Sequence, residues 1–415
     1  MKKLSLRKKL LFSTIVLVAS LAALEGLLRL AGYRPAPRAA REATAPGEPV
    51  PPEAFGYFII CDQHLGFRNR AHGVYRAHLF PGKPLSTTDQ FGYRNGFGWT
   101  AKGIAPIVLF VGDSFTFCSE VNDDETGPAE VAKQLRKEFD VRVLNAGVRG
   151  YSALQVKRML AECLTRFPQI ILAVYTHCGN DMEESLLSTM HYPAKGPAVV
   201  RDAASGRFRE VEVTHPTVPW GKDFLAWRPA VVEPSRAAEL SAWLHGRSVL
   251  WHHGQIGLDR FLARWPAPPE HHDGDPSDLP ADPAAWHRWA QQHDGNAVMQ
   301  WLLSEMQQMC QSHGASLLVT SAYTGLDRET PAECAADCAA AGVPYLSLVE
   351  HFPEPPEVYQ AQRCDGRPDP HYSAAGTKTY AAAVAPALAA MLRNVSGTLR
   401  VPSTPDSPDR KGTHP

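Results

Sequence analysis

Short apolar runs alternate with helical stretches over most of the chain, and this alternation restricts the fold more than any other feature. Five such runs predict buried parallel strands, at residues 107–111, 141–144, 170–175, 315–320 and 343–348. Helical patterns fall between or after these runs, at residues 128–139, 152–166, 296–312, 332–341 and 374–393. Strands separated by helices indicate an α/β fold with a doubly wound, flavodoxin-like parallel sheet of about five strands.

The 415 residues exceed what one such sheet needs, and the excess falls into segments of different composition. Residues 57–393 are expected to hold the α/β domain. About residues 185–293 break the alternation and predict a long insertion after the third strand. Residues 34–56 are rich in proline and alanine and predict an extended linker. Residues 394–415 are polar and predict a disordered tail.

The N-terminal residues 1–33 have the pattern of a signal anchor or a signal peptide. Lysine and arginine side chains precede an uncharged stretch at residues 10–24. The apolar run resumes after Glu25 and reaches the ~20 residues that a membrane-spanning helix needs, which favours an anchor. The rest of the chain would then lie outside the cytoplasm, in the periplasm or the extracellular space, and cleavage would release it as a secreted protein.

Charge and cysteine usage exclude some classes of protein. The net charge is -1 and the pI is about 7.0, which argues against a nucleic-acid partner held by a basic surface. The eight cysteines do not have the spacing of a small disulfide scaffold. Cys334 and Cys338 lack a second pair of metal-binding residues, so we expect small buried side chains there. No metal and no cofactor is expected.

The insertion concentrates the tryptophans of the chain. Aromatic platforms for sugar rings and an accessory apolar core are both open interpretations. We favour the core, in which Trp286, Trp289 and Trp301 are buried. The paired histidines of this region, such as His252 and His253, are expected in solvated loops rather than at a metal ion.

Two polar blocks follow predicted strands directly. Ser114 ends the Gly-Asp-Ser block at residues 112–114, after the first strand, where open α/β sheets bind ligands. Its hydroxyl is a candidate nucleophile. Asn180 lies in the Gly-Asn-Asp block at residues 179–181, after the third strand, and its amide is either an oxyanion donor or a helix N-cap.

Two further blocks complete the pattern. The glycine-containing block at residues 145–150 follows the second strand, where glycine permits close approach of a ligand to the backbone, although a tight turn alone also explains it. Asp369 and His371 stand just before the final helix. A carboxylate and an imidazole at this spacing can act as the orienting and base members of a catalytic triad, or can belong to a surface turn.

Together, the four blocks resemble the SGNH (GDSL-like) hydrolase family, in its membrane-anchored bacterial type. The resemblance covers about residues 91–393 apart from the insertion. Residues 89–94 (DQFGYR) and 114–125 (SFTFCSEVNDDE) are similar to two weaker family motifs. Cys118 and Glu120 stand where glycine is usual, and the Asp-x-His spacing is shorter than the formal Asp-x-x-His pattern.

The resemblance implies a serine-hydrolase mechanism. Ser114 would attack an ester carbonyl, and His371 would take its proton and return it to the leaving alcohol. Asp369 would orient the imidazole, with Asp365 as the alternative carboxylate.

The resemblance also implies donors for the oxyanion. These would be the N–H groups of Ser114 and Gly150 and the side chain of Asn180, with Gly147 as the alternative to Gly150. Cys118 and Cys178 lie beside these elements, and we expect them not to form a disulfide.

The activity implied is that of a serine esterase acting on an acyl ester, for example an acetyl ester, of a cell-envelope glycan or lipid. An O-acyltransferase acting on an exported polysaccharide is the first alternative. A catalytically silent glycan-binding protein is the second. The near-zero net charge suits a neutral ester substrate.

Overall fold

The architecture was obtained from a computed structural model, which describes most of the predicted α/β region. The described residues are 20–27, 29–30, 58–62, 64–77, 79–96, 105–187, 197–202, 205–211, 285–322 and 331–395. The predicted linker at residues 34–56 and most of the predicted insertion lie outside them. Both therefore remain predictions.

Two antiparallel hairpins precede the main sheet. They pair β1 (Ile59–Asp62) with β2 (Gly66–Asn69), and β3 (Val74–Arg76) with β4 (Leu85–Thr87). The sequence pattern did not predict these strands, because three or four residues are too few to establish a period of two. Tyr151 joins the first hairpin to the α/β layers by donating a 2.6 Å hydrogen bond to the carbonyl of Phe67.

The main sheet confirms the predicted strands. The later strands are, in chain order, β5 (Ile107–Gly112), β6 (Arg142–Asn145), β7 (Ile170–His177), β8 (Ala198–Arg201), β9 (Phe208–Val211), β10 (Ser316–Ser321), β11 (Tyr345–Leu346), β12 (Gln360–Gln362) and β13 (Pro368–Tyr372). Five of them form a parallel sheet in the order β11-β10-β7-β5-β6. This is the flavodoxin-like order, and its topological switch point lies between β5 and β7.

All five helices predicted between residues 128 and 393 are present, although the first ends at Leu135 and not at residue 139, and four further helices of the described region were not predicted. In chain order, the helices are α1 (Ser114–Phe117), α2 (Gly127–Leu135), α3 (Ala153–Arg166), α4 (Asp181–Leu186), α5 (Trp286–Gln292), α6 (Gly295–Ser312), α7 (Pro331–Ala341), α8 (Pro356–Tyr359) and α9 (Ala374–Val395). Helix α3 begins with a capping box, in which Ser152 and Gln155 satisfy each other's backbone N–H groups. Helix α9 ends at Val395, two residues beyond its predicted end at residue 393.

Alternate residues of β5 enter two separate cores, as expected of a strand covered on both faces. Ile107 and Leu109 belong to the core shared with α3 and α6. Val108 and Phe110 belong to the core shared with α2 and α9. The central strand is therefore fixed from both sides, and so is the residue that follows its carboxyl end.

The described part of the predicted insertion packs onto the α/β layers. Strands β8 and β9 form a hairpin, and Glu210 of β9 contacts Lys157 and Arg158 of α3, each at 2.7 Å. Trp289 is buried in the core, while Trp286 and Trp301 pack against it half-buried. Burial is therefore confirmed for Trp289 only, and these tryptophans extend the main core instead of forming a separate accessory one. The other tryptophans of the predicted insertion lie outside the described residues.

In the N-terminal segment, the described residues begin at residue 20, and residues 20–27 form a helix. Within the described part of the chain, no helix has the length and apolar character needed to cross a membrane. The predicted anchor begins ahead of these residues, so it remains a prediction.

Candidate active site

A chain of hydrogen bonds joins three of the predicted site residues. Ser114 Oγ lies 2.7 Å from His371 Nε2. On the other side of the imidazole, His371 Nδ1 lies 2.6 Å from Asp369 Oδ1. The backbone N–H of His371 donates to the same carboxylate oxygen at 3.2 Å, which fixes the carboxylate against the base. The arrangement allows the hydroxyl proton to move to Nε2 while Nδ1 keeps its own.

Ser114 is the first residue of α1, immediately after β5. The turn between them needs Gly112, whose φ is 155° and where a Cβ would lie 2.3 Å from Thr116 Oγ1. Asp113 caps α1 by accepting a 2.9 Å hydrogen bond from the N–H of Phe115. Its other oxygen is 3.3 Å from Ser114 Oγ. Asp113 therefore shapes the turn that presents the hydroxyl.

His371 lies on β13, which pairs with β12 just before α9. The sequence left open whether this block is only a surface turn, and the structure places it on a strand against the nucleophile. The ring of Phe115 packs on the imidazole, with centroids 4.9 Å apart. The imidazole is thus held by a ring on one face and by hydrogen bonds at both nitrogens.

Burial and neighbouring charges shift the pKa values of His371 and Asp369 in opposite directions, and the charges outweigh burial. Burial lowers the pKa of His371, but the nearby charge of Glu120 and the hydrogen bond to Asp369 raise it above its ordinary value. Burial raises the pKa of Asp369, but the hydrogen bond and charge of His371 outweigh this and keep the pKa low. The pKa of the buried Asp113 is raised, chiefly by desolvation.

Asn180 occupies the N-cap position of α4 without capping it through its side chain. Its Nδ2 instead donates a 2.8 Å hydrogen bond to Oε2 of Glu184, one turn further along the helix. An amide nitrogen carries two hydrogens, so one remains for a ligand. Of the two interpretations of Asn180, this geometry fits an oriented donor better than a helix cap.

The two glycines considered as backbone donors differ in their surroundings. The N–H of Gly147 donates to the side chain of Asn145 at 3.0 Å. A Cβ at residue 147 would lie 2.6 Å from the backbone nitrogen of Phe117, so this glycine permits close packing behind the site. Gly150 has a φ of 73°, in the left-handed region. The assignment of Gly150 as a donor remains a prediction, and Gly147 is not available for that role.

Asp365, the alternative orienting carboxylate, does not contact the imidazole. It is exposed and pairs with Arg367 at 2.5 Å. Cys118 and Cys178 are both buried as free thiols. Cys118 has a φ of 56° at the end of α1, which explains why glycine suits that position in the resembling motif.

The two weaker motifs contact each other. Arg94 is fully buried and forms an ion pair with Asp123 at 2.9 Å. Its guanidinium also donates to the carbonyls of Phe117, Cys118 and Val121, each at 2.8 Å. One arginine from the motif at residues 89–94 therefore holds the segment that follows the nucleophile.

Sequence reasoning missed two site residues, Glu120 and Arg149. Glu120 Oε1 lies 3.7 Å from His371 Nδ1, and Arg149 Nη1 lies 3.3 Å from the same oxygen. The one signal available in the sequence was that Glu120 replaces a usual glycine in the resembling motif. The replacement shows that residue 120 differs from the motif, but it does not predict which residues the glutamate side chain contacts.

A metal ion does not suit this group of residues as they are arranged. Glu120, Asp369 and His371 place candidate ligand atoms within 4.8 Å of one another. However, 2.6 Å between Asp369 and His371 is a hydrogen-bond distance, whereas two ligands of a tetrahedral zinc lie roughly 3.4 Å apart. The metal would also compete with the proton on Nδ1. The expectation of no metal and no cofactor remains a prediction.

Comparisons with known proteins give structural neighbours only. No family model and no curated protein matches the chain. A crystal structure of TesA is similar, with 14% identity, a TM-score of 0.35, and coverage of 68% of this chain and 97% of that one. A second solved structure has 13% identity, a TM-score of 0.32, and coverage of 69% and 97%. Similarity at this level assigns no function, which has to come from the geometry of the site.

Proposed function

We propose that this protein is a serine ester hydrolase whose nucleophile is Ser114. The observation that supports the proposal is the hydrogen-bond chain from Ser114 through His371 to Asp369. Ser114 lies near the start of the α/β domain in sequence, Asp369 and His371 lie near its end, and the three side chains come within hydrogen-bond distance of one another in turn. A nucleophile, a base and an orienting carboxylate in this order are the parts that acyl transfer requires.

The reaction would proceed in two halves. The Ser114 hydroxyl attacks the ester carbonyl while its proton passes to His371 Nε2. The tetrahedral oxyanion accepts hydrogen bonds from the N–H groups of Ser114 and Gly150 and from Asn180. Collapse breaks the ester C–O bond, and the leaving alkoxide takes the proton from Nε2. Water then cleaves the acyl-serine by the same steps in reverse.

The N–H of Ser114 suits this role because it belongs to the first turn of α1. The first N–H groups of a helix have no acceptor within the helix and remain available to a ligand. Asn180 follows β7, the neighbour of β5 at the switch point of the sheet. The proposed donors therefore come from adjacent strand ends.

The substrate is proposed to be an acyl ester, such as an acetyl ester, of a cell-envelope glycan or lipid. This follows from the resemblance of the sequence blocks to membrane-anchored hydrolases and from the anchor predicted within residues 1–33. We propose that the domain lies outside the cytoplasm on that anchor. An O-acyltransferase would use the same acyl-serine but pass the acyl group to a sugar hydroxyl.

The test uses p-nitrophenyl acetate hydrolysis together with labelling by a fluorophosphonate. Ser114→Ala should abolish both, and the label on the parent protein should map to Ser114. Ser312→Ala is the matched control, because its exposed hydroxyl contacts Met309 and His313 at the end of α6. Unchanged turnover in Ser114→Ala would overturn the proposal. Transfer to an added polysaccharide that exceeds hydrolysis would identify an acyltransferase, and retained glycan binding without labelling would identify a silent binding protein.

A further inference from the structure

A buried carboxylate, that of Glu120, lies beside the imidazole in addition to the half-buried Asp369. The side chain of Glu120 is only 1% exposed, and its Oε1 is 3.7 Å from His371 Nδ1. Asp369 approaches the same nitrogen at 2.6 Å. His371 Nδ1 therefore faces two carboxylates, whereas orienting a base needs one.

Within the described part of the chain, the neighbours of Glu120 hold its carboxylate through Oε1 and leave Oε2 unbonded. Ser119 Oγ donates to Oε1 at 2.5 Å, and Arg149 contacts the same oxygen at 3.3 Å. Oε2 is buried and has no hydrogen-bond partner among the residues that the structure describes. A buried carboxylate oxygen without a partner costs free energy, so a purely structural role explains its presence poorly.

We propose that Glu120 is a positioning residue for His371, which holds the imidazole through its charge and stabilises the imidazolium formed when Ser114 loses its proton. The proposal deepens the esterase function and rests on it for the catalytic step. Glu120 itself exchanges no proton. The proton moves from Ser114 Oγ to Nε2 and then to the leaving group, while Nδ1 keeps its own.

The charges around the imidazole set the sign of the effect. Asp113, Glu120, Arg149 and Asp369 are the charged or titratable groups that face His371. Glu120 and Asp369 raise the pKa of His371, and Arg149 lowers it. Removing the charge of Glu120 should thus lower the pKa of His371, and removing Arg149 should raise it.

The direct experiment measures pH profiles of kcat/KM with the full-length protein and p-nitrophenyl acetate. Glu120→Gln keeps the shape of the side chain and removes its charge. We expect the acid limb of the profile to move down by about one pH unit and the plateau to fall about tenfold. Arg149→Met should move the acid limb upward. A packing defect would not shift the limb in opposite directions in the two variants.

Glu125→Gln is the matched control, since this glutamate lies in the same segment but is bonded to Asn122 on the exposed side. Its profile should match that of the parent protein. If Glu120→Gln gives the parent profile as well, the proposal is wrong.

A second measurement separates this proposal from the proposed function. The pKa of His371 is followed by NMR in histidine-labelled protein, with His371→Gln used to assign the resonance. A lower value in Glu120→Gln than in the parent supports the role of Glu120, and an unchanged value contradicts it. This readout needs no turnover. If the fluorophosphonate fails to label Ser114, the esterase proposal fails while the NMR result still decides the effect of Glu120.

Discussion

Carboxyl groups that are wholly or partly buried flank the candidate site on two sides, and their neighbours shift their pKa values in opposite directions. On the β13 side, Asp369 faces His371 and has a pKa below its usual range, although burial alone raises it. On the α4 side, burial and nearby acids raise the pKa of Asp181 to about 8, despite the opposing charge of His177. The pKa of Glu184 is also raised by burial. The carboxyl group beside the base, that of Asp369, therefore favours its charged form. The carboxyl groups beside the proposed oxyanion donor, those of Asp181 and Glu184, favour their neutral forms.

This difference assigns different tasks to the two sides. A charge next to His371 stabilises the imidazolium during catalysis. Near Asn180, a negative charge would oppose the developing oxyanion, so carboxyl groups that keep their protons are compatible with that position. The hydrogen bonds of Asp181, with Tyr175 at 2.6 Å and with the N–H of Cys178 at 2.9 Å, fix the start of α4. Three predictions test this comparison.

The largest effect is expected from Asp369→Asn. The amide removes the negative charge that stabilises the imidazolium and disturbs the tautomer of His371, so kcat/KM should fall about 10³–10⁴-fold. Steady-state hydrolysis of p-nitrophenyl acetate measures this. Asp365→Asn is the control and should leave the rate unchanged, because Asp365 is exposed and paired with Arg367. Equal losses in the two variants would show that Asp369 is not the orienting group.

A smaller effect is expected on the other side, from Glu184→Ala. Loss of the acceptor frees the amide of Asn180, and kcat should fall about tenfold with little change in KM, since the donor itself remains. Glu184→Gln keeps an oxygen in reach of Asn180 Nδ2 and lacks a charge, so it should restore most of the rate. Equal loss in both variants would mean that Glu184 acts through packing rather than by orienting Asn180.

The smallest effect is a change in the pH dependence of stability in Asp181→Asn. The pKa of Asp181 is about 8 in the folded protein, against 3.8 for an ordinary aspartate. Between these pH values the folded state keeps a proton that the unfolded state has released, so stability falls as pH rises. Asparagine removes this dependence.

Thermal unfolding at pH 6 and pH 7 measures the change. Relative to the parent protein, the Tm of Asp181→Asn should gain about 2 °C more at pH 7 than at pH 6, because one pH unit of this linkage is worth ~1.4 kcal/mol in a domain of roughly 300 residues. Asp365→Asn should show no such gain, because the hydrogen bond to Arg367 lowers the pKa of Asp365. A constant difference between Asp181→Asn and the parent at both pH values would contradict the raised pKa.

Much of the fold was predictable because its signals are local. The run at residues 107–111 is apolar throughout, which only a strand covered on both faces requires, and β5 is buried along its length. The short hairpins β1–β4 escaped prediction because their pairing depends on contacts with distant residues, such as that between Tyr151 and Phe67. The order of the strands in the sheet also depends on pairing between distant segments, so hydrophobic periodicity did not predict it.

The candidate site was predictable in part. Ser114, Asn180, Asp369 and His371 were identified from their positions after strands or before the last helix. Glu120 was noted only as an unusual residue. The ion pair of Arg94 with Asp123 was also not foreseen, although both residues lie in the motifs that carried the resemblance.

The sequence by itself determined which elements form and which residue types stand at their ends, because apolar periodicity and turn residues act over a few positions. The tertiary structure alone decided which of these residues meet. Ser114 and His371 are 257 residues apart in the chain and come within 2.7 Å. It also decided that Asp369 rather than Asp365 faces the base and that Glu120 lies beside it. Charge, burial and pKa depend on such neighbours through space, and spacing along the chain does not encode them.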